Sequence, residues 1–82
     1  MPKYTIELFQ MDDTLLARSS DREVPSLTRD EMLAWARDAA EKFGMVWEIG
    51  HSACAPTLGY ARVVCDGLEV LRVSVPSELG VL

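Results

Sequence analysis

Four residues in the middle of the chain have side chains able to do chemistry. His51 is the only histidine, Cys54 and Cys65 are the two cysteines, and Asp66 follows Cys65 directly. Imidazole, thiolate and carboxylate are the ligand types of zinc. His51 with Cys54 alone could form a thiolate–imidazolium pair, the activated form of a nucleophilic cysteine. A second cluster is carboxylic, with Glu7 on the first apolar stretch and Asp12 and Asp13 just after it. Paired carboxylates serve acid–base chemistry or hold a hard cation. Aspartates after a strand also start turns, and neighbouring side chains point apart.

Whether these groups meet depends on the elements that carry them. Leu58–Cys65 reads as a strand, which at about 3.3 Å per residue extends roughly 25 Å. His51 and Cys54 then lie at one end and Cys65 at the other. One metal reaches both only if the connection folds back along the sheet. A disulfide, whose Cα atoms must lie within about 7 Å, meets the same obstacle. The sulfur therefore reads as a core residue (Cys65) and a loop residue (Cys54), both reduced, with no metal and no cofactor. The serines lie outside any G-x-S-x-G context, and glycine occurs singly, so no phosphate-cradling loop is formed.

The flanking elements follow from periodicity. Lys3–Gln10 alternates, with Tyr4, Ile6 and Leu8 on one side, and reads as a strand. Residues 11–26 read as a long polar loop, with a short strand at Thr14–Arg18 able to pair with the first. Met32, Trp35, Ala36, Ala39, Ala40 and Phe43 recur at helical spacing. Thr28 and Glu31 match a capping box, Leu27 and Met32 a hydrophobic staple. Gly44 suits the position just past a helix end. Met45–Gly50 alternates and reads as another strand. Asp66-Gly67 between Leu58–Cys65 and Leu68–Val75 is a hairpin signal, and Pro76 ends the last strand. The expected fold is one α+β domain, residues 1–82. It is a mostly antiparallel sheet of three to five strands with one amphipathic helix on one face.

A regular two-residue turn would pair Cys65 with Leu68, Val63 with Val70 and Ala61 with Arg72. One face would then floor the helix with Ala61, Val63, Cys65, Leu68 and Val70. The other would display Tyr60, Val64, Leu71, Val73 and Val75, too apolar for a wet face and the expected interface. Loop 11–26 could instead cover that side, with Leu15 and Leu16 as lids, and a bulge in the hairpin would swap the faces.

The chain has 82 residues and a net charge of −5, spread thinly, and 49% of its residues are hydrophobic, too many for a disordered chain. The absence of a basic patch argues against direct nucleic-acid binding. No stretch has the length to span a membrane and the opening lacks the marks of a signal peptide, so the expected location is cytoplasmic. Such a core supplies only a few kcal/mol of net stability, which makes association a natural supplement.

Met1-Pro2-Lys3-Tyr4, Val24-Pro25-x-Leu27 before the alanine-rich helix, and Asp66-Gly67…Val70-Leu71-Arg72-Val73 together resemble a family of small uncharacterised bacterial proteins. That resemblance implies no activity. In size and acidity the chain is also similar to phage-encoded inhibitors of bacterial defence systems, such as anti-CRISPR proteins. The leading expectation is a non-enzymatic module binding another protein or a second copy of itself. A phage or mobile-element inhibitor is its most specific form. The alternatives are a small enzyme or metal protein using His51 and Cys54, and a small-molecule-binding homodimer with a pocket beside Trp47.

Overall fold

A computed structural model describes residues 1–51 and 54–79. Five strands, β1 (Lys3–Phe9), β2 (Leu15–Arg18), β3 (Arg22–Glu23), β4 (Tyr60–Cys65) and β5 (Leu68–Ser74), form one sheet, with α1 (Arg29–His51) packed on it. The order across the sheet is β2-β1-β4-β5, all neighbours antiparallel, and β3 also pairs with β1. A single π-helical turn, Val75–Leu79, follows β5 and buries Val75 and Leu79. This is the α+β architecture the sequence implies, with loop 11–26 supplying two strands rather than a lid.

The helix begins as its sequence dictates. The Glu31 amide donates to Thr28 Oγ1 (3.1 Å) and the Thr28 amide donates to Glu31 Oε1 (3.0 Å), a reciprocal cap. Leu27 and Met32, the two staple positions, both pack on the core. Ala36 and Ala40, 0% and 3% exposed, form the contact line with the sheet. Their small side chains let the helix lie close to the central strands.

The helix does not end where expected. It runs through Gly44 to His51, so Met45–Gly50 is helical and not a strand. Alternation over six residues is short enough to fit either period. Two interactions favour the helix. Phe43, Trp47 and His51 stand four apart along it: the Phe43 and Trp47 rings meet tilted at 46° with centroids 5.8 Å apart, and Trp47 and His51 stack at 3.9 Å. Both sides of β1 and β4 are already paired, which leaves a further strand no central position. Among the described glycines, Gly67 is the one with a positive φ (86°). Gly44 therefore does not form the left-handed cap its position suggests.

The Asp66-Gly67 turn is as expected: both residues have positive φ (50° and 86°), the signature of a type I′ turn. The register beyond it is not. Cys65 pairs with Leu68 and Val64 with Glu69, but Val63 pairs with Leu71 and Ala61 with Val73. Val70 is the extra residue of a bulge. A one-residue slip exchanges the faces of everything beyond it. Leu71 and Val73 therefore turn toward the helix, and Val70 (48% exposed) leaves the floor it was expected to form, while Leu68, which keeps its expected pairing beside the turn, is 73% exposed.

The core is accordingly built from Tyr4, Ile6 and Leu8 of β1, Ala61 and Val63 of β4, Val73 of β5, and Leu58, Val75 and Leu79, with Ala36 and Ala40 above. Gly59 permits a close crossing at its edge, since an added Cβ would stand 2.6 Å from the Met11 amide nitrogen.

Two variants test this account. Val73→Asp places a charge in the core and should abolish folding, whereas Val70→Asp on the bulge should change stability by only about 0.5 kcal/mol, the usual scale for surface sites. Chemical denaturation distinguishes this from the unbulged register, in which the two outcomes exchange. Nothing lies within 4 Å of a Cβ added at Gly44, so Gly44→Ala should stabilise the protein by about 0.5–1 kcal/mol. A loss of stability of that size would show that the helix stops at Gly44.

Candidate functional site

The sheet face opposite the helix carries an ordered polar network. Glu7 is 5% exposed there, the one buried charged residue among those described. Its Oε2 accepts from Arg18 Nε (3.0 Å) and Nη2 (2.6 Å), and its Oε1 accepts from Arg62 Nε (2.5 Å). Strand pairing places Arg18 and Arg62 on either side of Glu7. Burial raises the cost of ionising this carboxyl, but hydrogen bonds from Arg62 and Arg18 outweigh it and hold the pKa below the usual carboxylate range.

Beside this group, Phe9 and Tyr60 face each other across β1 and β4 and stack at 4.8 Å, their planes within 10°. The Arg62 guanidinium lies over Phe9 (5.3 Å to the ring centroid) and that of Arg72 over Tyr60 (4.7 Å). Glu69 Oε1 accepts from Arg72 Nε and Nη2 at 3.0 and 2.9 Å and lies 3.7 Å from Arg62 Nη1. The Tyr60 hydroxyl donates to Asp13 Oδ1 (2.6 Å), a bond that raises the tyrosine's pKa. Every arginine on this face thus has a carboxylate, and both rings are covered. The face reads as a self-neutralised surface, not an open cation cluster for phosphate or an acid–base pair.

The carboxylates suspected of chemistry are separated by these contacts. Asp12 Oδ1 accepts from the Thr14 amide (3.1 Å) inside the tight turn between β1 and β2, Asp13 serves Tyr60, and Glu7 serves the arginines. Asp12 is the turn-starting aspartate, and hydrogen bonds from Thr14 hold its pKa low. Among the described residues, no three His, Cys, Asp or Glu side chains converge as metal ligands. His51 ends the helix with its ring stacked on Trp47 and Nδ1 3.1 Å from the Trp47 carbonyl oxygen. Cys65 is half-buried at the core edge and Cys54 is exposed; both are free thiols.

The five residues expected to form one interface are divided by the bulge. Val73 and Val75 are buried in the core at 2% and 1% exposure, and Leu71 packs against it. Tyr60 and Val64 are half-buried, with Tyr60 inside the network around Phe9. These five residues therefore do not form one exposed patch.

Exposed apolar surface is found elsewhere. Beyond Phe43 no described residue of α1 joins the core, and Met45, Val46 and Ile49 are 65%, 67% and 82% exposed. Grooves flank the helix, two of which reach its second half. One, of about 440 Å³, lies between its second half and residues 54–58, lined by Phe43, Glu48, Cys54, Leu58, Val75 and Pro76. The other, of about 460 Å³, lies toward β1 and β2, between apolar side chains that include Trp35, Phe43 and Val46 and a polar rim of Arg18, Ser19, Ser20, Asp38 and Lys42. Sequence reasoning missed this end of the helix because it read Met45–Gly50 as a strand. Continuing the helical count past Gly44 would have placed Val46 and Ile49 in line with Trp35 and Ala39.

No family model, curated protein or solved structure matches the chain. Among the described residues, no helix is long and apolar enough to cross a membrane.

The Glu7 network makes a signed prediction. A carboxyl whose pKa is depressed on folding contributes stability that is full above its unfolded value, about 4.3, and is lost as the pH falls through its folded value. Glu7→Gln should cost about 2 kcal/mol near neutrality, the scale of hydrogen bonds to a charged group. The gap between wild type and variant in urea denaturation should stay constant from neutral to mildly acidic pH and close on further acidification. A gap that widens on acidification would contradict the assignment.

Proposed function

We propose that the protein is a non-enzymatic protein-association module whose contact surface is the second half of α1. The observation that carries this reading is the cluster Met45, Val46 and Ile49, each about two-thirds or more exposed on a helix end that projects past the core. Isolated apolar side chains on a surface are ordinary, but a contiguous group on one projecting element marks a contact site. The polar sheet face has its charges and rings mutually satisfied, which supports assigning association to the helix. The narrower role of a phage or mobile-element inhibitor is supported by size and acidity, and the class proposed here does not depend on it.

The test is covalent capture from the helix end. With a photo-crosslinking residue at position 49, the chain expressed in its native host should give one discrete adduct of higher mass. The same residue at Arg37, on the exposed side of α1, should give none. Absence of a discrete adduct at position 49 and also at positions 45 and 46 would overturn the reading.

A further inference from the structure

We propose that His51 is a pH-operated latch on the last turn of α1, closed when its imidazole carries a second proton. The latch sets how firmly Ile49 is displayed. To that extent it rests on the association reading and names a regulation of the same surface.

The geometry is specific to the ring. His51 is the last residue of α1, and its ring lies flat on Trp47, with centroids 3.9 Å apart and planes within 6°. Its Nδ1 stands 3.1 Å from the Trp47 carbonyl oxygen. A neutral imidazole makes that bond only in the tautomer with its proton on Nδ1, whereas the imidazolium donates from both nitrogens. A cation is also drawn to the face of an indole. The carbonyls of the last turn form the negative end of the helix dipole, which a cation stabilises. The bond, the stack and the dipole all favour the protonated ring.

The last turn depends on this contact. No described residue of α1 beyond Phe43 joins the core. Glu48–His51 includes Gly50 and the β-branched Ile49, both weaker helix formers than alanine or leucine. Terminal turns fray where little holds them. The side-chain contact on this one is the stack of His51 on Trp47, which itself meets Phe43. Ile49, 82% exposed, lies within the turn. With the turn closed, Ile49 stays in line with Val46; with it frayed, that alignment is lost.

Other charges nearby do not compete. His51 is the only histidine, and histidine is the side chain whose charge ordinarily changes between pH 5 and 8. Glu48 lies in the same turn and Cys54 on the segment past the helix; among the described residues His51 forms no ion pair. A carboxylate three residues before a cation on a helix attracts it, so Glu48 acts in the same direction. On the side of β1 and β2, Arg18 is bonded to Glu7 and Lys42 to Asp38. Glu78 of the turn after β5 lies beside Asp30 and Arg37, at the other end of α1. The closed turn favours the proton, so acid firms it and a rising pH loosens it.

The experiment reads the last turn in the full chain from carbon-13 secondary shifts of Ile49 and Gly50, which report helix content. The ratio of helical to frayed turn should fall about two- to fivefold from about pH 5 to about pH 8, the scale of a charge at a helix end. His51→Gln removes the titration and should leave the turn equally frayed at both values. His51→Lys keeps a permanent cation there and should leave it equally firm at both. Cys54→Ser should keep the wild-type change. Equal shifts at both values in the wild type overturn the latch, as does a change that persists in His51→Gln.

The photo-crosslinker at position 49 separates the latch from the association reading. In host lysate adjusted to either pH, the adduct should form in higher yield at the acidic value with His51, and in equal yield with His51→Lys. A yield that ignores pH while the turn titrates overturns the regulatory role. If the turn titrates and no adduct forms at positions 45, 46 or 49, the latch stands and the association reading fails.

Discussion

One extra residue in one strand sets which surface of this protein is wet. The bulge at Val70 exchanges the faces of β5 between its two halves, so that Leu71 and Val73 join Ile6, Val63 and Ala61 beneath the helix. Without it the hairpin would present Leu71 and Val73 to water and leave the core short of two aliphatic side chains. It also sets Arg72 beside Arg62 on the outer face, in reach of Tyr60 and Glu69. Two like charges directly opposed across a ladder repel, and the shared carboxylate of Glu69 compensates them.

With the outer face polar, the design becomes two-sided. One side is a dry layer in which Ala36 and Ala40 bring the helix close to β1 and β4. The other is a charged layer organised around a buried carboxylate. Surface ion pairs are individually worth little, because solvent screens them. Glu7 differs because it is nearly inaccessible and accepts from two guanidinium groups fixed by the strands on either side. Such a group gains more from ionisation with its partners than it loses to desolvation, and it penalises any register that separates them. Its main effect is to fix how β2, β1 and β4 align.

The helix is longer than the sheet can cover. At about 1.5 Å per residue its 23 residues approach the 38 Å long dimension of the protein. The part over the sheet is fixed by its cap, its staple and its alanine line. The part beyond is held by the ladder of Phe43, Trp47 and His51 and displays Met45, Val46 and Ile49. The same element is thus core scaffold over its first half and exposed apolar surface over its second.

Much of this was set locally and so was legible in the sequence. The helix start follows from Thr28 and Glu31, whose bonds lie within one turn. The type I′ turn follows from Asp66 and Gly67, which tolerate positive φ. The first strand follows from alternating Tyr4, Ile6 and Leu8, and the turn role of Asp12 from its position after that strand. Three things were decided by the tertiary structure. The bulge at Val70 follows from matching β5 to β4 while packing against α1, a choice no local pattern encodes. The passage of the helix through Gly44 follows from a ladder of contacts and from a sheet with no central place for another strand. The pairing of Glu7 with Arg18 and Arg62 joins residues 11 and 55 positions apart. The bulge and the Glu7 pairing depend on contacts between separate segments, and the passage through Gly44 depends in part on the filled sheet; hydrophobic periodicity carries information only about neighbours.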